Sequence, residues 1–236
     1  MLEFLRNKKI IIIVAHPDDE ILGLGGTMNK LINEYDVETR VVILGEGITS
    51  RSNKRDLNKW KKELETHKEN IFEAARCIGY HDVKTYDFPD NRFDSVDILD
   101  IIKIIEKEIE EFCPNVIFTH HIGDLNVDHQ VTFQAVVTAT RPVTDEIVKT
   151  IISFETPSGT EWIPSTDLRK FIPNIHFEIS KANLKSKIKA MESYNYEKRK
   201  YPHPRSPESL KILAEYRGIN VGLELAESFC LVRNIN

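Results

Sequence analysis

Four residues able to bind a metal or move a proton follow a hydrophobic run that begins at Lys9: His16, Asp18, Asp19 and Glu20. Imidazole and carboxylate groups together are common zinc ligands, and a catalytic zinc keeps one position open for water. The bound water loses a proton near neutral pH, and a carboxylate beside it can act as base. Asp18 and Asp19 are adjacent and point differently, so one can ligate while the other handles the proton. The segment is therefore a candidate for metal-activated water chemistry.

A second polar cluster follows a later hydrophobic run, Asn115–His120, and comprises His120, His121, Asp124, Asn126, Asp128 and His129. In parallel α/β sheets, ligands bind beyond the carboxyl ends of the strands. If both runs are strands of one such sheet, the two clusters lie on the same edge. His129, at the start of a helix, can then supply the second imidazole of a metal site.

Each cluster also has a structural interpretation. Asp18, Asp19 and Glu20 at a helix start can serve only to compensate the helix dipole. A single histidine in a helical first turn, such as His129, is more often structural than a ligand. Composition and spacing alone leave the two interpretations nearly even, and the shared sheet edge favours the metal site.

Hydrophobic periodicity supplies the elements that position these residues. Lys9–His16 is an isoleucine-rich run without alternation, which predicts a strand buried on both faces of a parallel sheet. Glu20–Tyr35 is predicted as a helix and Glu38–Leu44 as a second strand, which gives a βαβ unit with a right-handed crossover. Pro17 disfavours the helical region for the residue before it, so the first strand stays extended to His16.

The remaining chain continues the alternation and then changes pattern after Arg141–Pro142. Further strands are predicted at Val83–Phe88, Asn115–His120, Ile151–Glu155, Ile175–Ile179 and Ser228–Val232. Further helices are predicted at Asp56–Ile78, Lys181–Tyr194 and Pro207–Arg217. One more helix is predicted to begin after a cap at Asp94 or Ser95 and to end before Pro114, and another is predicted to begin near Asp128. The order predicts an α/β fold: a Rossmann-like, doubly wound, mostly parallel sheet over residues 1–142. Residues 143–236 add C-terminal strands and helices that complete the site of a single domain, 1–236.

Composition narrows the class of protein. The 236 residues carry 32 basic and 37 acidic side chains, a net charge of −5, which argues against a general nucleic-acid binder. Three cysteines without a CxxC spacing predict reduced thiols and a cytoplasmic location. The apolar run Ile10–Ala15 is too short for a membrane span or a signal-peptide core. We therefore expect a small-molecule or conjugated substrate.

Several motifs resemble one known family. Ala15–Glu20 (AHPDDE), its continuation Ile21–Thr27 and the later Gly123–His129 (GDLNVDH) are similar to motifs of the LmbE/PIG-L deacetylases. Ser153–Trp162 and Pro202–Ser206 resemble a bacterial branch of that family. Its members remove N-acetyl groups from N-acetylglucosamine units. The resemblance implies a zinc-dependent hydrolase that deacetylates an N-acetylglucosamine-type sugar or conjugate and releases acetate.

The resemblance also implies roles for particular residues. His16, Asp19 and His129 would bind Zn²⁺ or another divalent metal, Asp18 would be the general base, and Asp128 would orient an imidazole or the ligand shell. Substrate contacts are expected from Asp90, which resembles a position that binds sugar hydroxyls, from Arg51 or Arg55 after the second strand, and from Arg92, His121 and Arg205. Relatives often form homo-oligomers, so a homo-oligomer is also expected.

Asn126 departs from the family pattern. The second motif often carries a histidine at this position, which helps to protonate or polarise the amide. Asn126 can donate a hydrogen bond to an oxyanion but cannot deliver a proton. His120, His121 or His203 could replace the missing histidine, and His203 is favoured because a proline-rich polar loop is typical of a lid. A surface turn is the equally weighted alternative for His203.

Three other functions fit the sequence less well. A receiver-like phosphoacceptor also places acidic pairs after its first strand, but it needs a lysine after its fifth strand, and no clear lysine fits that position. A non-catalytic sugar-binding protein of the same fold has only Asn126 in its support. A dinucleotide site is disfavoured because Gly23, Gly25 and Gly26 lack the third glycine of GxGxxG and follow the strand too late.

Overall fold

The structure is a computed structural model that describes residues 2–143 and 148–235. In that part of the chain seven strands form one sheet in the order β3-β2-β1-β4-β5-β7-β6. Their bounds are Lys9–Val14 (β1), Glu38–Gly45 (β2), Asp82–Phe88 (β3), Val116–His120 (β4), Thr150–Phe154 (β5), Ile175–Glu178 (β6) and Ala226–Asn234 (β7). Strands β1 to β5 pair in parallel, and β7 runs antiparallel to both β5 and β6. The α/β, mostly parallel fold is confirmed.

The strand order identifies the ligand edge of the sheet. The order 3-2-1-4-5 is that of doubly wound Rossmann sheets, whereas receiver-type sheets have the order 2-1-3-4-5. The receiver-like hypothesis is therefore wrong for this chain. The order reverses between β1 and β4, and ligands of open α/β sheets bind at such a point. His16 follows β1 and His120 ends β4, so both polar clusters lie there.

Seven α-helices cover the sheet in the described ranges: Asp19–Leu22 (α1), Gly25–Glu34 (α2), Lys61–Ile78 (α3), Ile98–Phe112 (α4), Val127–Ala139 (α5), Lys181–Ser193 (α6) and Pro207–Ile219 (α7). None of them has the combination of length and hydrophobicity that crossing a membrane requires. Two predicted starts were wrong. Helix α3 begins at Lys61 and not at Asp56. Helix α4 is capped by Asp97, whose side chain accepts the Leu99 N–H.

The prediction of one continuous helix over Glu20–Tyr35 was also wrong, because the helix is interrupted at Gly23 and Leu24, between α1 and α2. A Cβ at Gly23 would lie 2.1 Å from Cδ2 of Phe154 on β5, so only glycine permits this approach. Leu24 has φ −151° and is not helical. The break leaves α1 as a short turn that presents Asp19 to the site independently of α2.

Strand β1 is buried on both faces, as its continuous hydrophobic run predicts. Ile10, Ile12 and Val14 pack into the core on one side of the sheet, while Ile11 and Ile13 pack into the core on the other. Each fully buried aliphatic side chain contributes about 1.5–3 kcal/mol relative to exposure. The strand end that carries His16 is therefore held from both sides.

Helix α3 buries an imidazole without a hydrogen-bond partner. His67 is 1% exposed, and neither ring nitrogen has a partner in the described chain. Burial, aided by the charge of Arg51, lowers the pKa of His67 to about 4. The unfolded-state pKa of histidine is about 6.5. Between these values the unfolded chain binds a proton that the folded chain does not, so stability falls as the pH decreases through this window.

We expect the native protein to lose about 2 kcal/mol more of its unfolding free energy between pH 7 and pH 5 than the His67→Phe variant loses. Phenylalanine keeps a buried ring and removes the titrating nitrogens. Urea unfolding of both proteins at both pH values measures the difference, and all other titrating groups are common to the pair. An equal loss in the two proteins would mean that His67 titrates with an ordinary pKa in the folded state.

Candidate metal centre and active site

The turn after β1 places Asp18 in a left-handed conformation, with φ 101° and ψ −24°. This region is uncommon for residues other than glycine, and such strain is concentrated at functional sites. The carboxylate of Glu20 accepts the Asp18 N–H at 3.0 Å and the Tyr194 hydroxyl at 2.5 Å. Burial raises the pKa of Glu20 to about 7. Glu20 therefore stabilises the turn through its hydrogen bond to the Asp18 N–H, in addition to lying in the first turn of α1.

Three buried residues on this turn and on α5 form a group that can hold a metal. His16, Asp19 and His129 each offer one ligand atom, and these atoms lie within 4.8 Å of one another. Oδ2 of Asp19 is 3.5 Å from Nδ1 of His16 and 3.3 Å from Nε2 of His129. Two imidazole nitrogens and one carboxylate oxygen are a donor set suited to zinc, with a fourth position left for water. The residues present thus fit the expected metal.

Asp128 determines which nitrogen of His16 faces this group. Nε2 of His16 is 2.8 Å from Oδ2 of Asp128, and Oδ1 of Asp128 accepts the Phe93 N–H at 2.9 Å. Because a carboxylate only accepts, Nε2 donates to Asp128, and Nδ1 is the nitrogen that faces Asp19 and can bind a metal once it has lost its proton. Burial opposes a charge on His16, but its contacts with Asp128 and Asp19 outweigh burial and hold its pKa well above the ordinary value.

A second possible metal group shares His16 with Asp90 and Asp128. It would need Nε2 of His16, which already donates to Asp128. Asp90 is also occupied, since its Oδ2 accepts both the N–H of Ser50 at 3.1 Å and its hydroxyl at 2.6 Å. The group with Asp19 and His129 is therefore the better metal site.

His120 supports the metal group from the end of β4. Its Nε2 accepts the Ala15 N–H at 2.9 Å, its Nδ1 is 3.2 Å from the hydroxyl of Thr156, and its ring stacks on His129 at 3.8 Å. Burial lowers the pKa of His120 to about 4. Both nitrogens are engaged and the ring is neutral, so His120 positions His129 and is poorly suited to donate a proton.

His129 lies between two carboxylates. Besides Asp19, its Nδ1 is 3.2 Å from Oδ1 of Asp124. Burial lowers the pKa of His129, but Asp19 and Asp124 together outweigh burial and raise it to about 9. Oδ2 of Asp124 accepts the hydroxyl of Thr160 at 2.7 Å, so this carboxylate is itself fixed.

A polar cleft of about 250 Å³ opens above the metal group. Seven of the residues singled out from the sequence line it: His16, Asp18, Arg51, Asp90, Asn126, His203 and Arg205. Asp19, Asp128 and His129 are almost fully buried next to it. Arg92 and His121 are not among the described lining residues. Arg92 donates to the carbonyl of Asn53 at 3.2 Å, and Nε2 of His121 is 2.7 Å from the carbonyl of Arg169.

Two arginines and two carboxylates form a chain of ion pairs across the cleft. Nη1 of Arg205 is 2.8 Å from Oδ2 of Asp18 and 2.9 Å from Oε2 of Glu197, which also pairs with Arg51. Burial raises the pKa of Asp18 and Arg205 opposes this, and the result lies well above the ordinary value. Glu197 was missed by the sequence analysis, since nothing distinguishes it from the other charged residues around it.

Amide and carboxylate groups of Asp90, Asn91 and Asn126 form another part of the cleft lining. Asn91 donates to Asp90 at 2.9 Å, and Asn126 donates to Asn91 at 3.0 Å. The side-chain oxygen of Asn126 accepts the Asp128 N–H at 2.8 Å and so caps α5. Asn126 therefore anchors the helix that carries Asp128 and presents its amide near the cleft.

His203 reaches the cleft from the proline-rich loop. Its Nδ1 accepts the Arg205 N–H at 3.2 Å, which leaves the proton on Nε2. Trp162 contacts the ring edge to face at 6.0 Å. Partial burial and the charges of Arg205 and Arg199 lower the pKa of His203. His203 is thus a neutral hydrogen-bond donor.

Comparison with known proteins finds relatives over most of the chain. The family model described as PIG-L, GlcNAc-PI de-N-acetylase, matches residues 11–140, more than half of the sequence. The uncharacterized deacetylase YaiS of Escherichia coli K12 is 25% identical over 194 residues, which cover 80% of this chain and 91% of YaiS. The matched family segment contains both polar clusters.

Solved structures share the fold at low identity. The N,N'-diacetylchitobiose deacetylase of Pyrococcus horikoshii superimposes with a TM-score of 0.71 at 18% identity, covering 98% of this chain and 88% of that one. GalB of Pseudomonas putida KT2440, a 4-carboxy-2-hydroxymuconate hydratase, superimposes with a TM-score of 0.74 at 19% identity, covering 97% and 98%. Proteins of this fold thus include both a deacetylase and a hydratase, so the reaction has to be argued from the site.

Proposed function

Because the chain belongs to the PIG-L family of GlcNAc-PI de-N-acetylases, we propose that it is a zinc-dependent deacetylase that removes the N-acetyl group of an N-acetylglucosamine-type sugar or conjugate and releases acetate. The observation that carries the proposal is the group of His16, Asp19 and His129 beside a buried Asp18 at the base of a polar cleft.

In this proposal His16, Asp19 and His129 hold the metal. When bound, zinc would polarise the acetamide carbonyl and lower the pKa of a water molecule, and another divalent metal could supply the same chemistry. Asp128 holds the His16 imidazole by its Nε2–H, and His120 holds the His129 ring by stacking. These contacts position the ligands before any metal binds.

Asp18 is the proposed general base. Its raised pKa suits a carboxylate that must accept a proton near neutral pH and release it later. Arg205 fixes one oxygen of Asp18 at 2.8 Å, and Glu20 holds its backbone amide. Arg205 is already paired with two carboxylates, those of Asp18 and Glu197. We therefore propose that its role is to position Asp18 and not to bind the substrate.

His203 and Asn126 are proposed to stabilise the oxyanion that forms during attack. Preorganised N–H donors aimed at developing negative charge are among the largest contributions to enzyme catalysis. Nε2 of His203 carries its only proton, since Nδ1 accepts the Arg205 N–H. Loss of that proton would leave an imidazolate, so the geometry favours His203 as a hydrogen-bond donor over its expected role as acid. Asp18 would then return its proton to the leaving amine.

Asp90 and Arg51 remain the proposed contacts to the sugar, because both line the cleft. Arg92 and His121 are left out of the proposed site, because they hydrogen-bond to the carbonyls of Asn53 and Arg169, which do not line the described cleft. The cytoplasmic location and the homo-oligomer inferred from the sequence stay predictions.

An acetate-release screen tests the function. The zinc-loaded protein is incubated with a panel of N-acetylhexosamine conjugates, with and without a chelator, and with 4-carboxy-2-hydroxymuconate as the substrate of the hydratase alternative. Acetate release that the chelator abolishes supports the proposal. Sugar binding without acetate release favours the non-catalytic alternative, and turnover of the muconate alone overturns the deacetylase.

The Asp128→Asn variant is expected to bind zinc roughly 10- to 100-fold more weakly, the usual effect of losing a partner that orients a metal-binding histidine. Asparagine is neutral and no longer selects the His16 tautomer through a charged hydrogen bond. Competition with a chromophoric chelator measures the affinity. Asp94→Asn, at an exposed position before α4, is the control. Equal affinities in the two variants would contradict the role.

The His203→Ala variant is expected to lower kcat by roughly 10²–10³ with a smaller change in KM, as loss of an oxyanion donor does. His203→Gln, which keeps an N–H donor, should recover part of kcat. Steady-state kinetics on the best substrate of the screen measures both. His176→Ala, at a histidine on β6 outside the described cleft lining, is the control. A His203→Ala protein with native kcat would remove His203 from the mechanism.

A further inference from the structure

Glu197 lines the cleft but has no role in the mechanism proposed above. It is 7% exposed, and a glutamate is seldom so buried unless its charge is paired. The carboxylate of Glu197 is paired twice. Its Oε1 accepts a hydrogen bond from Nη2 of Arg51, and its Oε2 accepts one from Nη1 of Arg205 at 2.9 Å. One carboxylate therefore joins two arginines that come from distant parts of the chain.

The backbone that carries Glu197 is fixed by the turn that follows α6. The Glu197 N–H donates to the carbonyl of Tyr194 at 3.1 Å. The hydroxyl of Tyr194 donates to Oε1 of Glu20, and Oε2 of Glu20 accepts the Asp18 N–H at 3.0 Å. This turn is therefore tied to the turn after β1 by a route that does not pass through Arg205.

On the side of the proposed base, three hydrogen bonds fix the guanidinium of Arg205. Its Nε donates to the hydroxyl of Ser158 at 2.7 Å, and its Nη1 donates to Asp18 at 2.8 Å and to Glu197 at 2.9 Å. The guanidinium is planar, and Nη1 has two hydrogens, so each carboxylate receives one of them. Glu197 thus determines the direction from which Arg205 holds Asp18.

On the side of the proposed sugar contacts, Glu197 fixes Arg51, which ends a short 3₁₀ turn after β2. Ser50, the residue before it, donates to Asp90 through its N–H at 3.1 Å and its hydroxyl at 2.6 Å. The 3₁₀ turn is therefore held by Asp90 through Ser50 and by Glu197 through Arg51. Both proposed sugar contacts and the base belong to one chain of polar contacts, and Glu197 is the residue at which its two halves meet.

We propose that Glu197 is a positioning residue that serves substrate binding and catalysis through two separate arginines. Through Arg51 it fixes a contact to the sugar, and through Arg205 it fixes the base Asp18. The inference rests on the proposed function, which defines both the sugar contact and the base. Glu197 acts through the two arginines and takes no part in proton transfer.

Steady-state kinetics of the Glu197→Gln protein on the methyl glycoside of N-acetylglucosamine tests the inference. Glutamine keeps the size of the side chain and removes its charge. We expect kcat to fall roughly 10- to 100-fold, the scale for a misplaced catalytic group. We expect KM to rise roughly threefold or more, because Arg51 loses the charged partner that fixes it.

Two double-mutant cycles separate the two contacts of Glu197. In an Arg51→Gln background, Glu197→Gln should still lower kcat but should no longer raise KM. In an Arg205→Gln background, it should still raise KM but should no longer lower kcat. A merely structural role of Glu197 lowers kcat in both backgrounds. If Arg205→Gln does not fold, Asp18→Asn takes its place, because Glu197→Gln should not change the residual kcat of a protein without its base.

Glu192→Gln is the matched control, since Glu192 is an exposed residue of α6 outside the described lining of the cleft. It should keep the native kcat and KM. Zinc content and circular dichroism establish that each variant holds its metal and is folded before the kinetics are compared.

Native kinetics in Glu197→Gln, or effects that are simply additive in both cycles, overturn the inference and leave the proposed function standing. If the native protein releases no acetate, the proposed function loses support, and calorimetry with the methyl glycoside of glucosamine then tests the contact through Arg51 in the zinc-loaded protein. Weaker binding in Glu197→Gln that disappears in the Arg51→Gln background supports that contact. Equal binding in the native and Glu197→Gln proteins, or no binding to either, overturns it.

Discussion

The Asp18→Asn protein is expected to retain zinc and to lose roughly 10²–10⁴ of its kcat, the contribution of a positioned acid–base group. Asparagine matches aspartate in size, can accept the hydrogen bond from Arg205, and tolerates the left-handed backbone that Asp18 adopts. The turn should therefore keep its shape. Only the ability to take a proton from the attacking water, and to return one to the amine, is removed.

Asp36→Asn is a matched control for this substitution. Asp36 also has a positive φ, 51°, and it is exposed and outside the described lining of the cleft. Zinc content by elemental analysis and kcat on the best substrate of the acetate screen are measured for both variants. Native turnover in a zinc-loaded Asp18→Asn protein would exclude Asp18 as the base.

Removing any one of the three proposed ligands should remove both the metal and the activity. In His16→Ala, Asp19→Ala and His129→Ala we expect substoichiometric zinc after dialysis, and losses in kcat/KM of roughly 10³ or more, because a catalytic metal contributes several kcal/mol. A chelator should inactivate the native protein, and added zinc should restore it. Circular dichroism establishes that each variant is folded before its zinc is counted.

Two further variants make the assignment specific. Asp90→Asn disables the alternative group of His16, Asp90 and Asp128 and should keep its zinc. His81→Ala, at an exposed histidine, controls for loss of an imidazole elsewhere. Full zinc occupancy in all three ligand variants would defeat the assignment. Zinc loss in Asp90→Asn, with zinc retained in Asp19→Ala and His129→Ala, would move the metal to the alternative group.

The sequence alone determined the sheet and the place of its ligand edge. A doubly buried strand needs a continuous apolar run, and the run that ends at His16 is the core of β1 in the structure. The other six predicted strands also lie within one or two residues of their observed bounds. Parallel strands put their carboxyl ends on one edge, so the two polar clusters had to meet near it. Local patterns are informative here because burial on a sheet face repeats along the chain.

Helix starts and breaks were less predictable. The break at Gly23 exists because the ring of Phe154, on β5, leaves no room for a Cβ. Gly23 and Phe154 are far apart in sequence. A glycine within a helical pattern does not indicate which side chain will pack against it. Likewise the cap of α4 is Asp97, although Asp94 and Ser95 are equally good caps by residue type.

Only the tertiary structure shows which of the candidate side chains contact one another. Residue types made His16, Asp18, Asp19 and His129 candidates, and the hexapeptide Ala15–Glu20, which contains the first three, is recognisable in the sequence. Nothing local indicated that Glu197 would share Arg205 with Asp18, that Glu20 would hold the Asp18 amide, or that His121 would turn towards Arg169. Residue identity determines which chemistry is available. Long-range packing decides which ring nitrogen of a histidine carries a proton and which charges are paired. The reason is that hydrogen bonds depend on distance and direction in space and not on separation along the chain.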